Sequence, residues 1–147
     1  MKKLLLLIII PLLSFGLVDE KTKHYISVGF LDHKTGTSMI GYTRSIIQND
    51  NNEIFVGFGT SISINTIVVG LKKNLLRSFV DGYSVISMQS IYGMGGGFNA
   101  PAISIGVEKK IWKQCFINIG LNSIIRIYSE RNLDFINYPH LNINVRF

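Results

Sequence analysis

The chain has 147 residues, of which 47% are apolar or aromatic and only 16% charged, against roughly 25% charged in an average soluble domain. That length leaves room for one domain, with or without a processed segment, and excludes two. The formal net charge of +6 is carried by single residues and by the pairs Lys72-Lys73 and Lys109-Lys110, with no basic stripe interleaved with aromatics, so no nucleic-acid partner is expected; a single cysteine, Cys115, excludes an intramolecular disulfide or a multi-cysteine zinc site.

Residues 1–16, MKKLLLLIIIPLLSFG, join a positive start (Lys2, Lys3) to an apolar run from Leu4 to Leu13 and to small residues Ser14 and Gly16 around Phe15. Those are the three parts of a secretory signal peptide, cleaved after Gly16, with 17–147 as the exported domain. Extended even to Val18, the run is shorter than the roughly 20 apolar residues of a spanning helix. No cysteine follows it to carry a lipid anchor.

Beyond Gly16 no helical periodicity lasts three turns, whereas period-two alternation recurs throughout. In chain order the alternating segments are 24–31, 37–47, 54–64, 66–75, 83–92, 102–111, 115–128 and 140–147. Between them stand DHKTG at 32–36, QNDNNE at 48–53, GMGGGFNAP at 93–101 and SERNLDFINYP at 129–139, rich in the Gly, Asn, Asp and Pro of turns. Only Asn65 marks the break between the third and fourth segments. The stretch KKNLLRSFVDG at 72–82 reads either as an extension of both neighbouring strands or as a short amphipathic helical turn.

The polar face of these strands decides between two kinds of barrel. From Ile54, the apolar face reads Ile54, Val56, Phe58, Ile62, Ile64 and its opposite Phe55, Gly57, Gly59, Ser61, Ser63. Ile103, Ile105 and Val107 oppose Ala102, Ser104, Gly106 and Glu108; Ile117, Ile119 and Leu121 oppose Phe116, Asn118, Gly120 and Asn122; Leu141, Ile143, Val145 and Phe147 oppose Asn142, Asn144 and Arg146. Across these four strands the polar face carries only Glu108 and Arg146 as charges. A water-facing surface so poor in charge would aggregate, whereas the narrow interior of an eight-stranded barrel suits Gly, Ser and Asn with a few paired ions. The predicted fold class is therefore all-β, an up-and-down antiparallel transmembrane β-barrel of about eight strands preceded by a signal peptide. Its alternative is a soluble periplasmic β-barrel binding an apolar ligand inside.

An even strand number puts both chain ends on the periplasmic side and assigns 32–36, the break near 65, 93–101 and 129–139 to outer loops. Tyr42, Tyr83, Tyr92, Trp112, Tyr128 and Tyr138 lie near strand ends, as aromatic girdles require. Arg44 stands on an otherwise apolar face, from which its long side chain reaches the membrane surface. Glu108 with Arg126 or Arg146 is expected to pair inside, among Asn118, Asn122, Asn142 and Asn144, because single buried charges are costly. That interior is read as packing and not as a conduit.

With signal peptide, alternating strands and an aromatic last residue in hand, the chain resembles the small outer-membrane β-barrel proteins of Gram-negative bacteria. The motif that carries the resemblance is the closing LNINVRF, in which Leu141, Ile143, Val145 and Phe147 match. The resemblance implies that this strand is an assembly signal read by the barrel-assembly machinery. It also implies an outer-membrane location and contact with outer-membrane lipid, lipopolysaccharide included.

Enzymatic motifs do not appear. GMGGGF has Phe98 where a dinucleotide fingerprint needs a third glycine, and there is no Gly-Lys-Ser/Thr, Gly-x-Ser-x-Gly or His-Glu-x-x-His. His24, His33 and His140 are isolated in sequence, so no metal ligand set and no cofactor are expected. Some eight-stranded barrels are lipid A acyltransferases or deacylases with His and Ser near the outer rim, which makes His33, Ser61 and Ser63 the catalytic candidates. The expected function is a non-enzymatic surface-binding or structural envelope protein that acts through its outer loops. A lipid A-modifying barrel enzyme is the alternative.

Overall fold

The computed structural model describes residues 23–76, 78–129 and 132–147, and for 127–129, 132 and 133 the backbone only. The signal-peptide segment lies outside the described residues. Eight antiparallel strands, each bonded to its neighbours in chain order, close into one barrel: β1 (His24–Phe30), β2 (Ile40–Gln48), β3 (Asn52–Thr60), β4 (Ile64–Leu76), β5 (Asp81–Gly93), β6 (Gly96–Trp112), β7 (Cys115–Ser129) and β8 (Asn132–Arg146). Closure runs through β1 and β8, from Tyr25↔Arg146 to Phe30↔Leu141. Beyond it, His24 and Phe147 exchange two backbone hydrogen bonds of 3.0 Å.

The alternation read from the sequence sorts the two faces as a spanning barrel requires. Ile103, Ile105 and Val107 are 47%, 56% and 46% exposed and point outward, as do Ile119, Leu121, Leu141, Ile143 and Val145. Ser104, Glu108, Asn118, Asn122, Asn142 and Asn144, on the opposite parity, are buried inside. A soluble barrel would turn these sets the other way, so the periplasmic apolar-ligand reading is corrected: the interior is largely polar and already occupied.

Several boundaries move, each for a local reason. The turn between β3 and β4 falls at 61–63, where Ser61 N donates to Ile64 O at 2.8 Å, and not at Asn65, which pairs with Tyr92 inside β4. The 72–82 stretch extends both neighbouring strands, to Leu76 and from Asp81. The glycine-rich 93–101 is no loop: the chain reverses at Met94 and Gly95, helped by Gly96 at φ +119°, and β6 begins at once. Likewise β8 begins at Asn132, so most of 129–139 is strand. Tyr83 and Tyr138 turn inward and belong to no girdle, whereas Tyr92 and Trp112 are exposed.

Candidate functional site: a plugged lumen and a protruding hairpin

The connection between β1 and β2, residues 31–39, does not reach out from the rim. It folds into the barrel. Asp32, His33, Lys34 and Thr35 are each no more than 3% exposed. Leu31 at φ 61° makes the inward bend, an unusual conformation for a branched side chain, and Gly36 at φ 75° makes the return. Between them Asp32 and Gly36 exchange backbone hydrogen bonds of 3.0 and 2.8 Å. The Asp32 carboxylate accepts from Lys34 N (3.0 Å) and Thr35 Oγ1 (3.1 Å), so the plug is braced by its own side chain.

The strands opposite make the space. A Cβ at Gly41 would meet the Thr35 side chain, at Gly57 the Lys34 carbonyl, and at Gly59 both Ser38 and the Thr35 carbonyl. Three inward glycines on β2 and β3 are thus the mould of the plug.

Near the end of the barrel that holds His24 and Phe147, called here the terminal end, five charges of alternating sign line the interior. Lys34 Nζ lies 2.6 Å from Glu53 Oε1 and 3.9 Å from the centre of the Tyr25 ring. Glu53 also accepts from Ser45 and stands opposite Lys72 across β3 and β4. Lys72 Nζ lies 3.3 Å from Glu108 Oε2, and the other Glu108 oxygen accepts from Arg146. The sequence-derived pairing of Glu108 with Arg146 is present. Arg126 is not part of it; its guanidinium lies 4.4 Å over the Phe98 ring, nearer the opposite end.

Above this set the Tyr83 hydroxyl lies 2.8 Å from His140 Nε2 and 3.2 Å from His33 Nδ1, while His33 Nδ1 is 3.2 Å from the Asp32 carboxylate. A carboxylate only accepts, so the His33 proton sits on Nδ1, and the single Tyr83 proton is left for His140 Nε2. The imidazoles therefore act as fixed hydrogen-bonding partners that tie the plug to β5 and β8. Gly106 and Gly120 leave the space that the Tyr83 and His140 rings occupy.

The rim candidates do not meet. His33 lies inside the lumen, close to Asp32 and Tyr83 and with its ring against that of His140, whereas the Ser61 hydroxyl contacts Ile64 O in the exposed β3–β4 turn and Ser63 is exposed beside it. Lys34, Glu53, Lys72, Tyr83 and His140 are among the interior residues that sequence reading missed. Glu53 and Lys72 share the inward parity of Phe55 and Val68, and that parity was their only signal.

Comparison with solved structures fits this architecture. The chain is similar to the N-terminal β-barrel domain of Pseudomonas aeruginosa OprF, with a TM-score of 0.53 and 12% sequence identity over 86% of this chain and 95% of that one. It has the fold of an outer-membrane β-barrel. Ail, the attachment invasion locus protein of Yersinia pestis, matches over the same shares at 11% identity and a TM-score of 0.38. No family model and no curated protein sequence matches the chain.

Within that fold the end opposite the terminal end is uneven. β6 and β7 ladder only as far as Ala102↔Ile124, and the next residue of β6 is Pro101, which has no N–H to offer. β1 and β8 stop at Phe30↔Leu141. β7 and β8 nevertheless continue together out to Ser129↔Asn132. The upper hairpin thus rises as a two-stranded ribbon, and among the described residues β8 has no strand on its β1 side from Asn132 to His140. Asp134, Phe135, Ile136 and Asn137 are exposed there.

Proposed function

We propose that the chain is an exported outer-membrane barrel, shut by its own first connection, whose β7–β8 hairpin is the surface-binding element. The observation behind this reading is the register: β7 and β8 stay paired after both flanking strands have let go. A free strand edge offers main-chain donors and acceptors to an extended segment of another protein, and side chains such as Phe135 and Ile136 supply the apolar contacts. Pro139, near the base of that edge, limits pairing to the part above it. The other outer connections offer less, since 94–95 and 61–63 are tight turns and 31–39 folds into the lumen with 32–36 buried.

An even strand number puts both termini on one side, and a chain that enters from the periplasm keeps them there and carries the hairpin outside. In a Cys115→Ser background, a membrane-impermeant maleimide applied to intact cells labels Asn137→Cys and not Lys113→Cys. Labelling of Lys113→Cys alone would reverse the orientation, and recovery of the chain in the soluble periplasm would end the reading altogether.

A further inference from the structure

The exposed charges of the barrel are segregated. Toward the terminal end, β4, β6 and the β6–β7 turn carry Lys73, Lys109, Lys110 and Lys113. Glu108 faces inward between Lys72 and Arg146, which leaves Asp81 as the carboxylate of this sector among the described residues, with Asp50 in the β2–β3 turn that borders β4. No ion pair reaches any of the four lysines among those residues. Set among them are exposed Leu75, Phe79, Ile111 and Trp112, with the Lys109 ammonium 3.8 Å over the Phe79 ring. At the other end, the exposed or half-exposed charges of the described residues are Arg126 and Asp134.

Apolar and aromatic side chains at the rim of a spanning barrel sit at the depth where acyl chains give way to headgroups. Cations beside them, without acidic partners of their own, are complementary to phosphate esters at that depth. We propose that this β4–β7 sector is a docking surface for anionic phospholipid headgroups, gathering them from the surrounding leaflet. The surface rests on the membrane-embedded reading above but not on which compartment the sector faces. Lys109 is held by Phe79, Lys110 and Lys113 extend from the adjoining end of β6 and its turn, and Lys73 stands two strands away on β4, so together they present a band of charge to several headgroups.

Trp112 is the only tryptophan of the chain and stands between Lys110 and Lys113 at the end of β6, so it reports on its own lipid neighbours. The full chain is reconstituted in vesicles of mixed phosphatidylcholine and phosphatidylglycerol, with bromine on the acyl chains of one or the other lipid. Preferential docking makes quenching of Trp112 by the brominated anionic lipid about two- to fivefold stronger than by the brominated zwitterionic one at equal content. The preference falls to parity at 1 M salt, where the screening length is about 3 Å, and in the Lys73→Gln, Lys109→Gln, Lys110→Gln, Lys113→Gln variant. Equal quenching in the unmodified chain, or a preference that survives in the variant, would overturn the assignment. Absence of quenching by either lipid would overturn the membrane-embedded reading along with it.

Discussion

The two sides of the barrel fill their interior in opposite ways. On β2 and β3, strands of nine residues each, the inward positions are Gly41, Thr43 and Ser45 and then Glu53, Phe55, Gly57 and Gly59, and most of the space is taken by the folded-in connection. On β5 to β8, strands of 13 to 17 residues, the wall brings its own filling. Tyr83 and Val85 pack with Phe55 and Val68 of β3 and β4, and Ile91, Ala100, Ala102 and Ile124 pack with Phe98 and Tyr138. An eight-stranded barrel has a nearly fixed bore, so wherever side chains are small, something else must enter. Here the chain supplies it from the shortest side, where a connection has the least wall to climb over.

The comparison breaks first at Lys34. Lys34→Ala leaves Glu53 buried without its partner and is expected to cost about 3–5 kcal/mol, read by urea unfolding of the reconstituted barrel. The pair Lys34→Met with Glu53→Gln recovers most of that loss. A cost below about 1 kcal/mol for the single change would mean that the plug is not structural.

Ile124→Ala tests the other side and should cost about 2–4 kcal/mol by opening a cavity in a cluster the plug does not touch. Combined with Lys34→Ala it should add to within about 0.5 kcal/mol, because the two sites share no partner. A larger coupling would join the two sides into one unit.

Gly57→Ala drives a methyl group at the Lys34 carbonyl and should cost about 1–3 kcal/mol. Gly95→Ala, with nothing near its added carbon, should stay within about 0.5 kcal/mol. Equal effects would show that the mould on β3 is not specific. Smallest of the changes to the lumen, Tyr83→Phe removes the hydroxyl between His33 and His140 and should cost about 1 kcal/mol, with a sharper loss of amide protection in 31–39 than in β7.

The wall of the barrel was written plainly in the sequence, because each residue of a spanning strand answers to one of two solvents and alternation records the choice. The parity of Ile103, Ile105 and Val107 against Ser104 and Glu108 could be read without any partner strand. The plug could not. DHKTG has the composition of a wet surface turn, and only the register that sets Gly41, Gly57 and Gly59 beside one another shows a hole of matching shape. Composition misled again at 93–101 and 132–139, where glycine, asparagine and proline stand inside strands. Pro101 lies where the ladder to β7 ends and Pro139 lies on a free edge, so neither disturbs the pairing that its neighbours need. The lumen ions were half legible: Glu108 and Arg146 lie in clean alternation, while Glu53 hides behind a run of asparagines that ends β2.

The bonds between His24 and Phe147 join the two extremes of the barrel. Every other seam can form between consecutive strands as they emerge, but this one must wait for all of them. Pairings between such distant residues are slow to form, because the entropy of closing the ring is lost before any contact repays it. Until that last pairing, β1 and β8 are both open templates for a neighbouring chain. Folding of this molecule is accordingly a race between the ring and the aggregate, and the winner is decided by how quickly the two ends of the chain find each other.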